Sequence, residues 1–146
     1  MKKIFASFLT VAAFAAVTTI SSCTKTCDEG YEGSDCKTEW RTKFIGEYAF
    51  ADVCSSGNYT GSATITQSSN DVVTILLKNF AGIGSTATIT GKLESSNKIV
   101  ISSQAANGYT INSSTGTMTN NIINWTYSIT DAQSSTETCT STWTKQ

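Results

Sequence analysis

Between Asn121 and Lys145 large apolar residues recur at every second position, and this period of two constrains the fold more than any other feature of the chain. Ile123, Trp125, Tyr127 and Ile129 share one face, with Asn124, Thr126 and Ser128 on the other; Cys139 and Trp143 repeat the pattern on the last segment. Phe44, Tyr48 and Phe50 are in phase near the start of the same region, and Cys54 shares their parity. Ala63 and Ile65 alternate with Thr64 and Thr66, and Thr86 to Thr90 alternates about Ala87 and Ile89. Val72 to Leu77 is apolar on both faces, which predicts a strand covered on both sides or lying beneath a loop. Ile99 to Ile101, Tyr109 to Ile111 and a weak segment at Thr117 to Thr119 complete the set, separated by Ser, Asn and Gly turns such as Asn107-Gly108.

Thr supports this reading, because a β-branched side chain suits the wet face of a half-exposed sheet. Connections this short join antiparallel neighbours, since a parallel pair needs a crossover of a dozen or more residues and no helical segment supplies one. The expected fold is all-β: a small antiparallel up-and-down barrel of about eight strands, closed by pairing the first strand with the last so that no edge is left exposed. An immunoglobulin-like sandwich also uses short Thr-rich strands, but its hallmark bridge joins internal strands, whereas Cys54 and Cys139 lie near the two ends of this region.

The start of the chain has a different character. Lys2 and Lys3 precede an apolar run from Ile4 to Val17, too short for an ordinary bilayer span, and Ile20-Ser21-Ser22-Cys23 follows. An aliphatic residue, two small residues and a cysteine resemble the lipobox of bacterial lipoproteins. The resemblance implies removal of residues 1–22, acylation of Cys23 and attachment to the cell envelope through lipid. Thr24 stands where an Asp would direct inner-membrane retention, so the resemblance points to the outer membrane. Loss of Lys2 and Lys3 takes the formal charge from −1 to about −3, and the remaining basic residues are scattered, which removes any electrostatic basis for binding nucleic acid.

With Cys23 assigned to lipid, Cys27, Cys36, Cys54 and Cys139 remain, an even set outside the cytoplasm that reads as two disulfides with three possible pairings. The segment from Cys27 to Cys36 has the spacing C-x-x-G-Y-x-G-x-x-C and resembles the last loop of an EGF-like module, carried by Cys27, Gly30, Tyr31, Gly33 and Cys36. That likeness implies a Cys27 to Cys36 bridge and leaves Cys54 for Cys139. In the chain-entropy model the long loop would contribute roughly 4 to 5 kcal/mol and the short one roughly 2.5. Asp28, Glu29, Glu32 and Asp35 read as a solvated acidic turn, since calcium-binding modules place their ligands before the first cysteine. Residues 23–40 are thus expected to form a lipidated tether and 41–146 the barrel, with Trp40 packing on its rim.

The barrel region also resembles bacterial lipocalin-like lipoproteins, through Gly46-Glu47-Tyr48 on the first strand and the aromatic last strand ending at Trp143. Eight strands leave an interior just wide enough to be filled by side chains or to hold one small ligand. The bulky inward set, including Phe44, Tyr48, Phe50, Ile65, Ile75, Ile89, Ile99, Ile101, Trp125, Tyr127 and Trp143, favours a filled core.

Catalysis finds little support. The chain contains no His, the commonest general base and transition-metal ligand, and no nucleophile elbow. Glu47, Asp52, Asp71, Glu94, Asp131 and Glu137 are expected mostly at turns or on outward faces. Asn58-Tyr59-Thr60 and Asn124-Trp125-Thr126 match the glycosylation pattern, which a bacterial envelope protein has little use for. The expectation is a non-enzymatic, lipid-anchored envelope protein without metal or cofactor, whose barrel is a structural or interaction module for an envelope partner. The rival reading is a carrier of a small apolar ligand.

Overall fold

Period-two burial runs through the strands of the computed structural model, which describes residues 26–146; Cys23 and the signal segment 1–22 lie outside the described residues. A short hairpin, β1 (Tyr31–Glu32) and β2 (Thr38–Glu39), is followed by a 3₁₀ turn at Trp40–Lys43. Then come β3 (Gly46–Cys54), β4 (Asn58–Gln67), β5 (Thr74–Lys78), β6 (Thr88–Ser95) and β7 (Lys98–Ile101). The hairpin of β8 (Gln104–Ala106) and β9 (Tyr109–Ile111) precedes β10 (Ser114–Thr119), β11 (Ile122–Thr130) and β12 (Thr136–Lys145).

Eight of these strands close a ring in the order β3-β4-β5-β6-β7-β10-β11-β12, with β12 pairing back onto β3 and every pairing antiparallel. The ring is a closed antiparallel barrel. The β8–β9 hairpin stays outside it, held to the far half of β11 through Ile111 and Thr110. Asn107 and Gly108 both take positive φ at its tip, the backbone a two-residue hairpin turn requires. The segment at Tyr109 thus becomes a flap beside the barrel rather than a stave of it.

Every residue of the expected inward set is buried, and the interior adds Leu77, Leu93, Ile111, Ile123 and Phe80. Phe44 precedes the first barrel strand and closes the 3₁₀ turn, yet it is buried because that turn folds across the barrel end, where the Tyr48 hydroxyl donates to its carbonyl at 2.7 Å. Two glycines make room for the largest rings: a Cβ on Gly61 would lie 2.6 Å from the Phe50 ring, and one on Gly116 2.7 Å from Trp125.

The disulfides join Cys27 to Cys36 and Cys54 to Cys139, the latter linking directly opposed residues of β3 and β12. The loop of the first bridge is seated on the barrel. Gly30 packs so closely on Val72 and Val73 that a Cβ there would meet them at 2.6 and 2.9 Å, which explains the second apolar face of that segment. Arg41 Nη1 donates to the carbonyls of Ser68 and Asp71, and Lys43 pairs with Glu32 at 2.7 Å. The 3₁₀ turn and the loop close the end from which β3 departs. The other end carries the Cys54 to Cys139 bridge, the turns at 55–57 and 131–135, and the long connections 79–87 and 102–113.

Candidate functional site

The register of β11, β12 and β3 stacks their inward residues in lateral rows. Ile123, Trp143 and Phe50 form one row, with Gly61 of β4 opposite Phe50. Trp125, Ser141 and Asp52 form the next, with Tyr59 opposite Asp52, and Tyr127, Cys139 and Cys54 form the row above. The first row belongs to a filled core. Phe80 enters it from the β5–β6 connection and meets Trp125, Tyr127 and Trp143 with ring centroids 5.2, 5.0 and 5.7 Å away.

That entry depends on backbone most residues avoid. Asn79, Ala81, Gly82 and Gly84 all have positive φ, so the connection dips into the barrel before returning to β6. Asn79 anchors it by donating to the Ser62 carbonyl and accepting from the Gly84 amide, and Asn107 of the hairpin flap donates to the Ile83 carbonyl. Phe80 therefore plugs the core, while Ala81, Gly82 and Ile83 wall the space above it.

Above the plug the barrel opens into a cavity of about 400 Å³, lined by Phe50, Asp52, Tyr59, Tyr109, Tyr127 and Glu137 together with the bridge Cys54 to Cys139 and the plug turn. The expected filled core therefore describes only part of the interior. Side chains fill the barrel up to the Phe80 plug, and the opposite mouth is hollow on the side where β12 and β3 present the short Ser141 and Asp52 side chains.

Asp52 is the principal correction to the sequence-based expectation. Most of the six carboxylates are expected at turns or on outward faces; Asp52 points inward, 3% exposed, at the level of Ser141 and one row below Tyr127. Period two carried the signal, since Asp52 shares the parity of Tyr48, Phe50 and Cys54. Its Oδ1 has no hydrogen-bond partner among the described residues, and the same holds for Ser141 Oγ and Trp125 Nε1 in the same row. Burial holds the Asp52 carboxyl above the usual carboxylate range, opposed by the neighbouring Ser141 and Tyr127 hydroxyls and reinforced by the charge of Glu137. Burial likewise raises the Tyr127 hydroxyl, with Asp52 adding to the effect.

The other carboxylates are occupied or outward. Glu137 accepts from the Ser56 amide at 3.1 Å and from the Ser56 hydroxyl, which also meets the Tyr59 hydroxyl at 2.7 Å, so a polar chain crosses the rim. Asp131 Oδ1 accepts from the amides of Gln133 and Ser135 and shapes the β11–β12 turn. Asp71 accepts from Val73 and Thr74, Glu94 pairs with Lys98 at 2.8 Å, and Glu47 is exposed on β3. Glu137 also lies close to Cys54 and Cys139, but both sulfurs are committed to the disulfide and offer no thiolate to a metal.

No family model matches the chain, and no curated protein does. Among solved structures, a candidate outer membrane protein of Bacteroides fragilis aligns with 15% identity over 73% of this chain and 52% of that one, with a TM-score of 0.47. The chain spans about half the length of that neighbour, and a likeness of this extent carries no argument about function.

Proposed function

We propose that this protein is a non-enzymatic, lipid-anchored component of a bacterial envelope, with the outer membrane as its site, whose barrel mouth binds one small molecule. The observation that carries binding is the cavity of about 400 Å³ above the Phe80 plug, a size that suits a small ligand, with a buried carboxyl and four aromatic rings in its wall. The lipobox at Cys23 supports anchoring. Three residues separate Cys23 from Cys27, so the four chain steps between them reach at most roughly 14 Å when extended. A lipid on Cys23 would thus tether the chain beside the Cys27 to Cys36 loop, which is seated at the closed end of the barrel.

A hydrolytic role draws little support, because the chain contains no His to act as base for a hydroxyl nucleophile. The second reading is a structural or interaction module, favoured by the exposed Tyr59 and Tyr109 at the rim. Native mass spectrometry of the full chain released from detergent separates the two. A reproducible bound small molecule is expected, and a clean apo mass together with a co-purifying envelope protein overturns binding in favour of the module. Cys23→Ser is expected to move the protein from the membrane pellet to the soluble fraction; retention in the pellet overturns the anchor.

A further inference from the structure

We infer that the ligand of the barrel mouth is a small organic cation, an ammonium group on an apolar or aromatic body, with Asp52 as its charge partner. This rests on the cavity being a binding site. Asp52 is 3% exposed, lines the cavity, and keeps one carboxyl oxygen without a partner among the described residues. An unpaired buried acceptor is costly, and a group that donates to it from the cavity removes that cost.

The surroundings decide the charge of that group. The cavity and the groove that continues it past Tyr109 and Ile129 contain Asp52, Glu137 and Asp131, and neither Lys nor Arg. An anion would meet repulsion with no compensating donor cluster, and a purely apolar ligand would seal Asp52 from water while leaving its oxygen unpaired. Glu137 and Asp131 each accept through one oxygen, from Ser56 and from Gln133 and Ser135, and both are half-buried at the rim, whereas Asp52 is the fully buried carboxyl and gains most from a new donor. Four rings, Phe50, Tyr59, Tyr109 and Tyr127, share the lining, and aromatic faces attract cations more strongly once water is excluded. Two exposed members of that set, Tyr59 and Tyr109, stand at the rim where an entering ligand first makes contact.

The test is titration calorimetry of the full chain in detergent with three probes of nearly equal size: phenethylammonium, phenethyl alcohol and hydrocinnamate. The ammonium is expected to bind at least about tenfold more tightly than the alcohol, with no uptake of the carboxylate. Asp52→Asn is expected to erase that preference without changing alcohol affinity. Tyr109→Leu, on the exposed rim, is expected to weaken the ammonium about two- to fivefold. Equal binding of ammonium and alcohol, unaffected by Asp52→Asn, overturns the cation while leaving the cavity a binding site, as does preference for hydrocinnamate. Absence of binding by all three up to millimolar concentration, with the β-sheet spectrum intact, overturns both.

Discussion

The two ends of the barrel are built from the same alternating strands and differ in what the inward positions hold. At the closed end Phe44, Tyr48, Phe50 and Trp143 meet beneath a 3₁₀ turn, and the polar atom brought inside, the Tyr48 hydroxyl, is spent on the Phe44 carbonyl. At the open end Asp52, Ser141 and Trp125 share one row and each keeps an atom without a partner. Closed-end packing is what a stable barrel needs. The unsatisfied row one step above it adds nothing to stability, and such groups persist most readily where a ligand completes them.

That contrast can be broken at graded cost. The largest effect is expected from opening the Cys54 to Cys139 bridge with a double Ala substitution, because its loop spans 85 residues and the chain-entropy model assigns it about 4 to 5 kcal/mol. Opening Cys27 to Cys36, with a separation of 9, should cost about 2.5 kcal/mol. Urea denaturation of the two double variants compares them directly, and equal losses would mean the long bridge does no more than the short one. Phe80→Ala falls between the two bridges, at roughly 3 to 5 kcal/mol, since it removes the ring that touches Trp125, Tyr127 and Trp143 and merges the filled core with the cavity.

The polar groups should respond with opposite signs at the two ends. Tyr48→Phe leaves the buried Phe44 carbonyl without its donor and should cost about 1 kcal/mol. Asp52→Asn should stabilise the unliganded protein near neutral pH. The folded-state pKa of Asp52 lies above the ordinary value, so the folded protein retains a proton that the unfolded chain has lost. Stability therefore falls as pH rises from the ordinary carboxylate range through the folded pKa and is flat beyond it. The variant lacks this loss, so its Tm should exceed that of the natural chain at neutral pH, with the gain vanishing in acid below the ordinary carboxylate range. A lower Tm at neutral pH would show that Asp52 is satisfied in the apo protein. Lys92→Ala, which breaks an exposed 3.4 Å pair with Glu29, should stay within about 0.5 kcal/mol in the same melts.

Much of the barrel was legible because parity is a local property. Reading Tyr127 and Trp143 as inward requires only neighbours two positions away, and closure follows from antiparallel connections and the need to leave no edge. Asp52 was equally legible by parity, although a carboxylate is seldom buried without a partner. Phe80 had no such signal. Its segment interrupts the alternation, and its burial depends on positive φ at Asn79, Ala81 and Gly82 and on anchors from Ser62 and Asn107, remote in sequence.

The sequence by itself determined an all-β chain, the inward aromatic set, a closed meander and an even set of cysteines once Cys23 is assigned to lipid. It did so because side-chain alternation and turn chemistry act over a few residues. Only the tertiary structure decided that the disulfide loop sits on the barrel, that one hairpin leaves the ring, and that the interior is filled by Phe80 up to one level and hollow above it. Those outcomes depend on register between strands far apart in the chain, where a shift of one residue would turn Asp52 to water and take its partners out of the row.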